Sequence, residues 1–185
     1  MNTILASLKI TLTTMLVCVA GYSLLVWSAG RLLVPELAEG SLLRRSDGSL
    51  VGSRLIAQKF EQPRYFWPRP SAVDYNGAGA GGSNKSPTSS DLTERAATTV
   101  AAYGATADNP LPADLAAASG GGLDPHISAR AAFYQARRVA EARGRTVGEI
   151  ERLIQNHAFS PGGPLTSDRL VNVLELNLAL DEQRS

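Results

Sequence analysis

A glycine-rich run is the first segment whose residue types and spacing could do chemistry. Residues 79–86 read GAGGSNKS, which has the length and the Lys-Ser ending of a phosphate-binding loop, but Asn84 stands where the second glycine is required. Such a loop follows a buried hydrophobic strand and opens a helix, whereas here residues 75–77 (YNG) precede the run and Pro87 follows it. The sequence therefore favours a glycine loop whose backbone packs closely against another segment.

The titratable side chains form no recognisable catalytic or metal-binding pattern. His126 and His157 are the only histidines, and no cysteine lies near either of them, so the ligand spacing of a zinc site is lacking. Asp74 and Asp124 lie in loop-rich segments that sequence alone does not bring together, and Asp124 is accounted for as a helix cap. No Gly-x-Ser-x-Gly elbow occurs. These residues favour a binding or scaffolding module over an enzyme.

Three helices are predicted from their capping signals, with serine, aspartate or threonine at the start and glycine after the first two. Their spans are 91–103, 124–143 and 146–157. In the second, Asp124 is the expected N-cap and Pro125 the first helical residue, which places His126 on the first turn. In the third, Thr146 and Glu149 form a capping box.

The strand signals are short and lie at both ends of the soluble region. A strand is predicted within residues 50–60, and residues 169–181 are predicted as a short strand that passes into a helix. Long irregular loops are predicted at 62–87 and 111–122, where proline and glycine are frequent. The predicted fold is therefore a mixed α/β (α+β) soluble domain that follows an N-terminal helix.

The N-terminal segment predicts one transmembrane helix. Residues 10–30 carry no charge, and about 21 residues at about 1.5 Å each span roughly 32 Å, enough for a hydrocarbon core of about 30 Å. A cleaved signal peptide is the alternative, but its apolar region is normally only about 7–15 residues long, so the length favours a retained anchor. The predicted divisions are a tail at 1–9, the transmembrane helix at 10–30, a connector at 31–49 and the soluble domain at 50–185.

The composition of the chain narrows its possible partners, but it does not decide on which side of a membrane the soluble domain lies. The chain has 18 basic and 17 acidic residues, so no basic surface for nucleic acid is indicated. Cys18 is the only cysteine, which rules out an internal disulfide, and a cysteine-free domain suits either side of a membrane. Lys9 precedes the span whereas Arg31, Arg44 and Arg45 follow it, so the positive-inside rule by itself leans toward a cytoplasmic domain.

Several loop segments together carry a family resemblance. In chain order they read GSRLIAQKF (52–60), YFWPRPSA (65–72), YNG (75–77), GGSN (81–84), PADL (112–115), ASG (118–120), GLDPHIS (122–128), RVA (138–140) and VNVL (171–174). Behind one N-terminal span, this set resembles the C subunit of Kdp-type potassium-transporting ATPases, the KdpC family, over nearly the whole chain. Pro68 departs from the glycine that is more usual in that family.

The resemblance implies a subunit without hydrolytic chemistry of its own in a complex of the bacterial inner membrane. Its implied partners are a channel-like potassium-binding subunit, an ATP-hydrolysing P-type subunit and a small membrane peptide, besides membrane lipid. ATP and potassium would be handled by the complex, and no cofactor is expected to bind this chain directly.

Two functions described for such subunits conflict physically. One is that of a catalytic chaperone that raises the ATP affinity of the hydrolytic subunit, and the other places the soluble domain outside the membrane over the ion entrance. Because no nucleotide loop is indicated, we expect a periplasmic domain whose effect on ATP affinity is indirect. The alternatives are a signal-anchored periplasmic enzyme or binding protein that uses the glycine-rich loop, and a cytosolic ATP-binding module.

The candidate interface residues lie within the motif segments. They are Tyr65, Phe66, Trp67, Arg69, Asn76, Asn84, Asp124 and His126. Docking to a partner is the functional interpretation of these side chains, and packing of two long loops against each other is the structural one. The sequence leaves both interpretations open, because polar loop residues can equally satisfy buried backbone groups.

Overall fold

The chain divides into two compact units, one ending at Leu42 and one beginning at Leu43. The structure is a computed structural model that describes residues 2–166 and 168–183. Both units contain helices, and the second also contains most of the strand residues. The architecture is the expected one, an N-terminal apolar helix followed by a mixed α and β domain.

The first unit is dominated by one continuous helix, Asn2–Leu33. It comprises α1 (Asn2–Met15), a π-helical turn (Leu16–Gly21) and α2 (Tyr22–Leu33), and none of its residues is buried. Its 32 residues would reach about 48 Å, more than a hydrocarbon core requires. The helix is therefore long and apolar enough to cross a membrane, and it extends beyond the predicted 10–30 at both ends. The short helix α3 (Pro35–Ala38) follows it.

The described residues from Leu42 onward form two small sheets, five α-helices and a short 3-10 helix (Gly163–Leu165). The sheets pair β1 (Leu42–Arg44) with β2 (Leu50–Ser53), and β3 (His126–Ser128) with β4 (Leu170–Asn172). The helices are α4 (Ser90–Ala102), α5 (Ala113–Ala116), α6 (Ala129–Arg143), α7 (Val147–His157) and α8 (Val173–Glu182). Strands β3 and β4 are antiparallel, with Ile127 opposite Val171.

The hydrophobic core lies between α6, α7, α8 and the β3–β4 pair. Helix α6 contributes mainly alanines, whose small side chains allow the neighbouring helix to approach closely, and α7 and α8 contribute larger aliphatic groups. The buried core residues of these helices are Ala131, Ala132, Ala136, Val139, Ala140, Ile150, Leu153, Ile154, Val173, Leu176 and Leu180. This core is the platform on which the long loops rest.

Most of the predicted boundaries are confirmed, and one helix start is wrong. The capping box of Thr146 with Glu149 is present, and Gly144 ends α6 with a left-handed φ of 62°. The strand that passes into a helix near residue 170 is also present. However, Asp124 does not cap α6, because residues 126–128 pair with β4 as a strand and Ser128 caps the helix instead. His126 consequently lies in a strand and not on a helical turn.

The glycine runs form a close backbone contact between two loops. Residues 54–89 contain no helix or strand, as predicted for 62–87, while the loop predicted at 111–122 includes the single turn α5. The Gly81 amide donates to the Gly121 carbonyl at 2.9 Å. A Cβ on Gly82 would lie only 2.7 Å from the Gly120 carbonyl oxygen. Glycine is required here because the two backbones touch.

Replacement of Gly122 tests how strongly this contact holds the loops. Gly122 has a φ of 69°, and an added Cβ would meet a Val73 methyl group at 2.6 Å and the Gly81 carbonyl at 2.9 Å. We expect Gly122→Ala to lower the free energy of unfolding of the full-length chain in detergent by about 2–5 kcal/mol, from backbone strain and overpacking combined. Chemical denaturation followed by circular dichroism measures this difference.

Gly121→Ala is the matched control, because nothing lies within 4 Å of a Cβ at that position and its φ is not in the left-handed region. Equal effects of the two substitutions would show that the close approach at Gly122 does not hold the loops.

Candidate partner-docking site

Two buried carboxamides hold the start of the long loop. The Asn177 side chain accepts from the Phe66 amide at 2.8 Å and donates to the Phe66 carbonyl at 3.0 Å. Gln135 does the same for Trp67, accepting at 2.8 Å and donating at 3.1 Å. Asn177 is 2% exposed and Gln135 1% exposed. Each carboxamide therefore pairs with the backbone as a neighbouring strand would, and it satisfies buried groups that have no sheet partner.

Arg138 reinforces this arrangement from the next turn of α6. Its guanidinium donates to the carbonyls of Pro63 at 2.6 Å and Tyr65 at 3.0 Å, and also to Gln135 Oε1 at 2.6 Å. It lies 3.8 Å from the centre of the Trp67 ring, a cation–π contact. Burial lowers the pKa of Arg138 to about 10, so the side chain stays charged at neutral pH. Its two terminal nitrogens are thus bonded within the domain, while its buried Nε has no hydrogen-bond partner among the described residues.

A charged cluster fixes Tyr65 at the other end of the same segment. Arg143, whose side chain is 2% exposed, donates to Asp181 Oδ1 at 2.9 Å and to the Arg64 carbonyl at 2.7 Å. The Tyr65 hydroxyl donates to Asp181 Oδ2 at 2.9 Å. Burial by itself raises the pKa of Asp181, but the hydrogen bonds from Arg143 and Tyr65 outweigh it and the pKa is lowered. The carboxylate therefore stays ionised and keeps both contacts.

The candidate residues Tyr65, Phe66 and Trp67 consequently differ in what they can offer a partner. Phe66 is completely buried in the core, so in this conformation its side chain positions the loop and is not available for docking. Tyr65 and Trp67 are half-buried, and the Trp67 ring packs edge-on against Tyr103 at 5.1 Å. Docking by the exposed parts of these two rings stays a prediction.

Arg69, Asp124 and His126 are brought together by the fold. Asp124 Oδ1 accepts from the His126 amide at 3.0 Å and faces His126 Nδ1 at 3.1 Å, while Oδ2 accepts from Arg69 at 3.3 Å. Hydrogen bonding from His126 lowers the pKa of Asp124, and the charge of Arg69 acts in the same direction. Because an ionised carboxylate can only accept, Nδ1 of His126 carries the proton. Asp124 therefore joins two loops where a helix cap was predicted.

Asn76 and Asn84 are exposed and make no contact with that cluster. Asn76 Oδ1 accepts from the Ala78 amide at 3.0 Å, which is a local turn interaction. Asn84 adopts a φ of 49° and lies beside a groove that also contains Arg95. Their roles as docking residues stay predictions, and the structure assigns them to the glycine loop.

The glycine run has none of the surroundings of a phosphate-binding loop. No strand leads into residues 79–86, and the next helix begins at Ser90, beyond the end of the run. The glycines serve the loop-to-loop contact described above. Within residues 2–166 and 168–183, no group of three histidine, cysteine, aspartate or glutamate side chains is placed to hold a metal ion.

Sequence reasoning missed the side chains that position the loop, namely Gln135, Arg138, Arg143 and Asn177. The available signal was their place on otherwise apolar helix faces. Gln135 lies between the buried residues Ala132 and Ala136, and a polar group there requires a partner. The identity of that partner is not encoded nearby, because Asn177 and Phe66 are 111 positions apart.

The family model and the similar proteins found by comparison all point to the same family. The model of the KdpC family, described as "K+-transporting ATPase, c chain", matches residues 4–182. A protein of Parvibaculum lavamentivorans named "Potassium-transporting ATPase KdpC subunit" is 65% identical over 181 residues, which are 98% of this chain and 97% of the relative. Proteins of the same name from Sorangium cellulosum and Pseudomonas aeruginosa are 46% and 44% identical, each over 88% of its own length and 88% or 89% of this chain.

Replacement of Asn177 tests the carboxamide pairing. Asn177→Leu keeps a similar volume but leaves the Phe66 amide and carbonyl buried without partners, so we expect the free energy of unfolding to fall by about 2–5 kcal/mol. Faster hydrogen exchange of the Phe66 amide is expected with it. Asn156→Leu, on the exposed side of α7, is the matched control and should change stability by less than about 0.5 kcal/mol. Wild-type stability of Asn177→Leu would contradict the proposed role of the pairing.

Proposed function

The chain belongs to the KdpC family, the c chain of K+-transporting ATPases, and from that premise we propose that it is a non-catalytic, membrane-anchored assembly subunit. The observation that carries this proposal is the preorganised loop surface. Side chains of α6 and α8 bond to the backbone of residues 63–67 without any partner present. A surface that is already ordered loses little conformational entropy on association, which favours stable docking.

The proposed partners are the remaining parts of the pump. They are a channel-like potassium-binding subunit, an ATP-hydrolysing P-type subunit and a small membrane peptide. Potassium selection and ATP hydrolysis would reside in those partners, and the helix Asn2–Leu33 would anchor this chain in the bacterial inner membrane. The exposed parts of Tyr65, Trp67 and Arg69, with the neighbouring polar loop residues, are the proposed contact surface.

We place the soluble domain in the periplasm, against the channel-like subunit. From there the chain can act as a catalytic chaperone only indirectly, by binding one pump state more tightly than another and so raising the ATP affinity of the hydrolytic subunit. The glycine loop supports this placement, because its backbone contacts Gly120 and Gly121 where a nucleotide loop would leave its amides open.

Purification of the tagged full-length chain in mild detergent tests the subunit role. We expect two large membrane proteins and a small peptide to be recovered with it in fixed proportion, because docking surface and anchor are both present. Recovery of the chain alone, with its N-terminal helix intact and with activity on a substrate, would instead establish the signal-anchored enzyme.

Cysteine labelling tests the orientation. In a Cys18→Ser background, Leu165→Cys presents a thiol at a position whose side chain is 92% exposed. We expect a membrane-impermeant maleimide to label it in intact spheroplasts. Thr3→Cys, on the other side of the span, is the matched control and should react only after the membrane is permeabilised. The reverse pattern would place the domain in the cytoplasm.

A further inference from the structure

A groove of about 510 Å³ lies beside the glycine loop, between residues 82–84, helix α4 and residues 116–120. Most of its wall is apolar or backbone, with Leu92 and Ala96 on one side and three successive alanines on the other. Arg95 is its one charged lining residue, and no acidic side chain lines it. The nearby Lys85 is already paired with Asp91 at 2.5 Å. The groove therefore presents a single uncompensated positive charge.

Arg95 differs from the other half-buried arginines of the described chain. Its Nε is shielded from solvent without a hydrogen-bond partner, as are those of Arg64 and Arg138. Unlike theirs, its terminal nitrogens also have no carboxylate or carbonyl acceptor among the described residues. The other half-buried arginines each bond to a carboxylate or a carbonyl oxygen of the chain, and they are Arg64, Arg69, Arg138, Arg143 and Arg145. Arg95 is thus an arginine whose acceptor is absent from its own domain.

We propose that this groove binds an acidic side chain, Asp or Glu, carried on a loop of a partner subunit and paired with Arg95. A partly desolvated guanidinium without an acceptor is unfavourable, and a carboxylate that accepts from the two terminal nitrogens of Arg95 reduces that penalty. One positive charge matches a monovalent carboxylate better than a phosphate dianion. The apolar walls suit the residues that flank an acidic side chain in a polypeptide. The inference rests on the proposed subunit function.

Charge reversal in the full-length tagged chain tests the pairing. We expect Arg95→Glu to reduce the recovery of partner subunits about tenfold, as for the loss of one member of a buried ion pair at an interface. Arg130→Glu is the matched control, since Arg130 is an exposed arginine of α6 and undergoes the same change of charge. Wild-type recovery with Arg95→Glu would overturn the proposal, while recovery of the partners by the wild-type chain would leave the subunit function intact.

A second measurement does not depend on the folding of the charge-reversed variant. A photo-crosslinking residue in place of the exposed Ala117, at the edge of the groove, is activated in native membranes. We expect a crosslinked partner peptide that contains Asp or Glu. Crosslinks only to lipid or to the chain itself, with partners still co-purifying, would overturn the groove assignment alone.

A binding test with inorganic phosphate distinguishes a groove that takes a small anion from one that takes the carboxylate of a protein side chain. We expect millimolar phosphate to leave the melting temperature of the purified full-length chain unchanged in the wild type and in Arg95→Glu alike. Stabilisation of the wild type that is lost in Arg95→Glu would overturn the carboxylate proposal in favour of a phosphate-containing ligand.

Discussion

The pairing of two buried carboxamides with the backbone of Phe66 and Trp67 is the constraint on which the soluble domain depends. A loop that carries its backbone into a core must satisfy each amide and carbonyl there, and no strand is available to this one. Asn177 and Gln135 supply both a donor and an acceptor from helix positions already fixed by core packing. The loop is thereby held in place by the helices and keeps a single path across them.

The loops beyond Phe66 and Trp67 are held by further contacts that build on this fixed segment. Arg138 and Arg143 direct their charges onto carbonyls of residues 63–65, so these cations are used to hold the loop within the domain. Further along, Asp124 links Arg69 to His126, and the glycine runs close on each other backbone to backbone. The polar residues that first suggest chemistry thus hold the two loops together.

The two units differ in how their apolar and polar side chains are buried. The helix Asn2–Leu33 buries none of its apolar side chains within the chain, so its surface suits a hydrocarbon environment. The soluble unit has its own alanine-rich core and satisfies nearly all of its buried polar side chains. Among the described arginines with a buried unsatisfied Nε, namely Arg64, Arg95 and Arg138, Arg95 is the one that lines the groove beside the glycine loop.

Local sequence determined the long apolar helix, the capping box of Thr146 with Glu149, the stop at Gly144 and the strand-to-helix passage near residue 170. Each of these depends on groups within a few positions of one another, so the chain encodes them where they occur. Only the tertiary structure decided that residues 126–128 form a strand, that Phe66 is buried and that Asn177 holds it. Those outcomes depend on contacts with residues that lie more than 40 and up to 111 positions away in the sequence. Packing of the whole core determines which residues meet, and local preference does not.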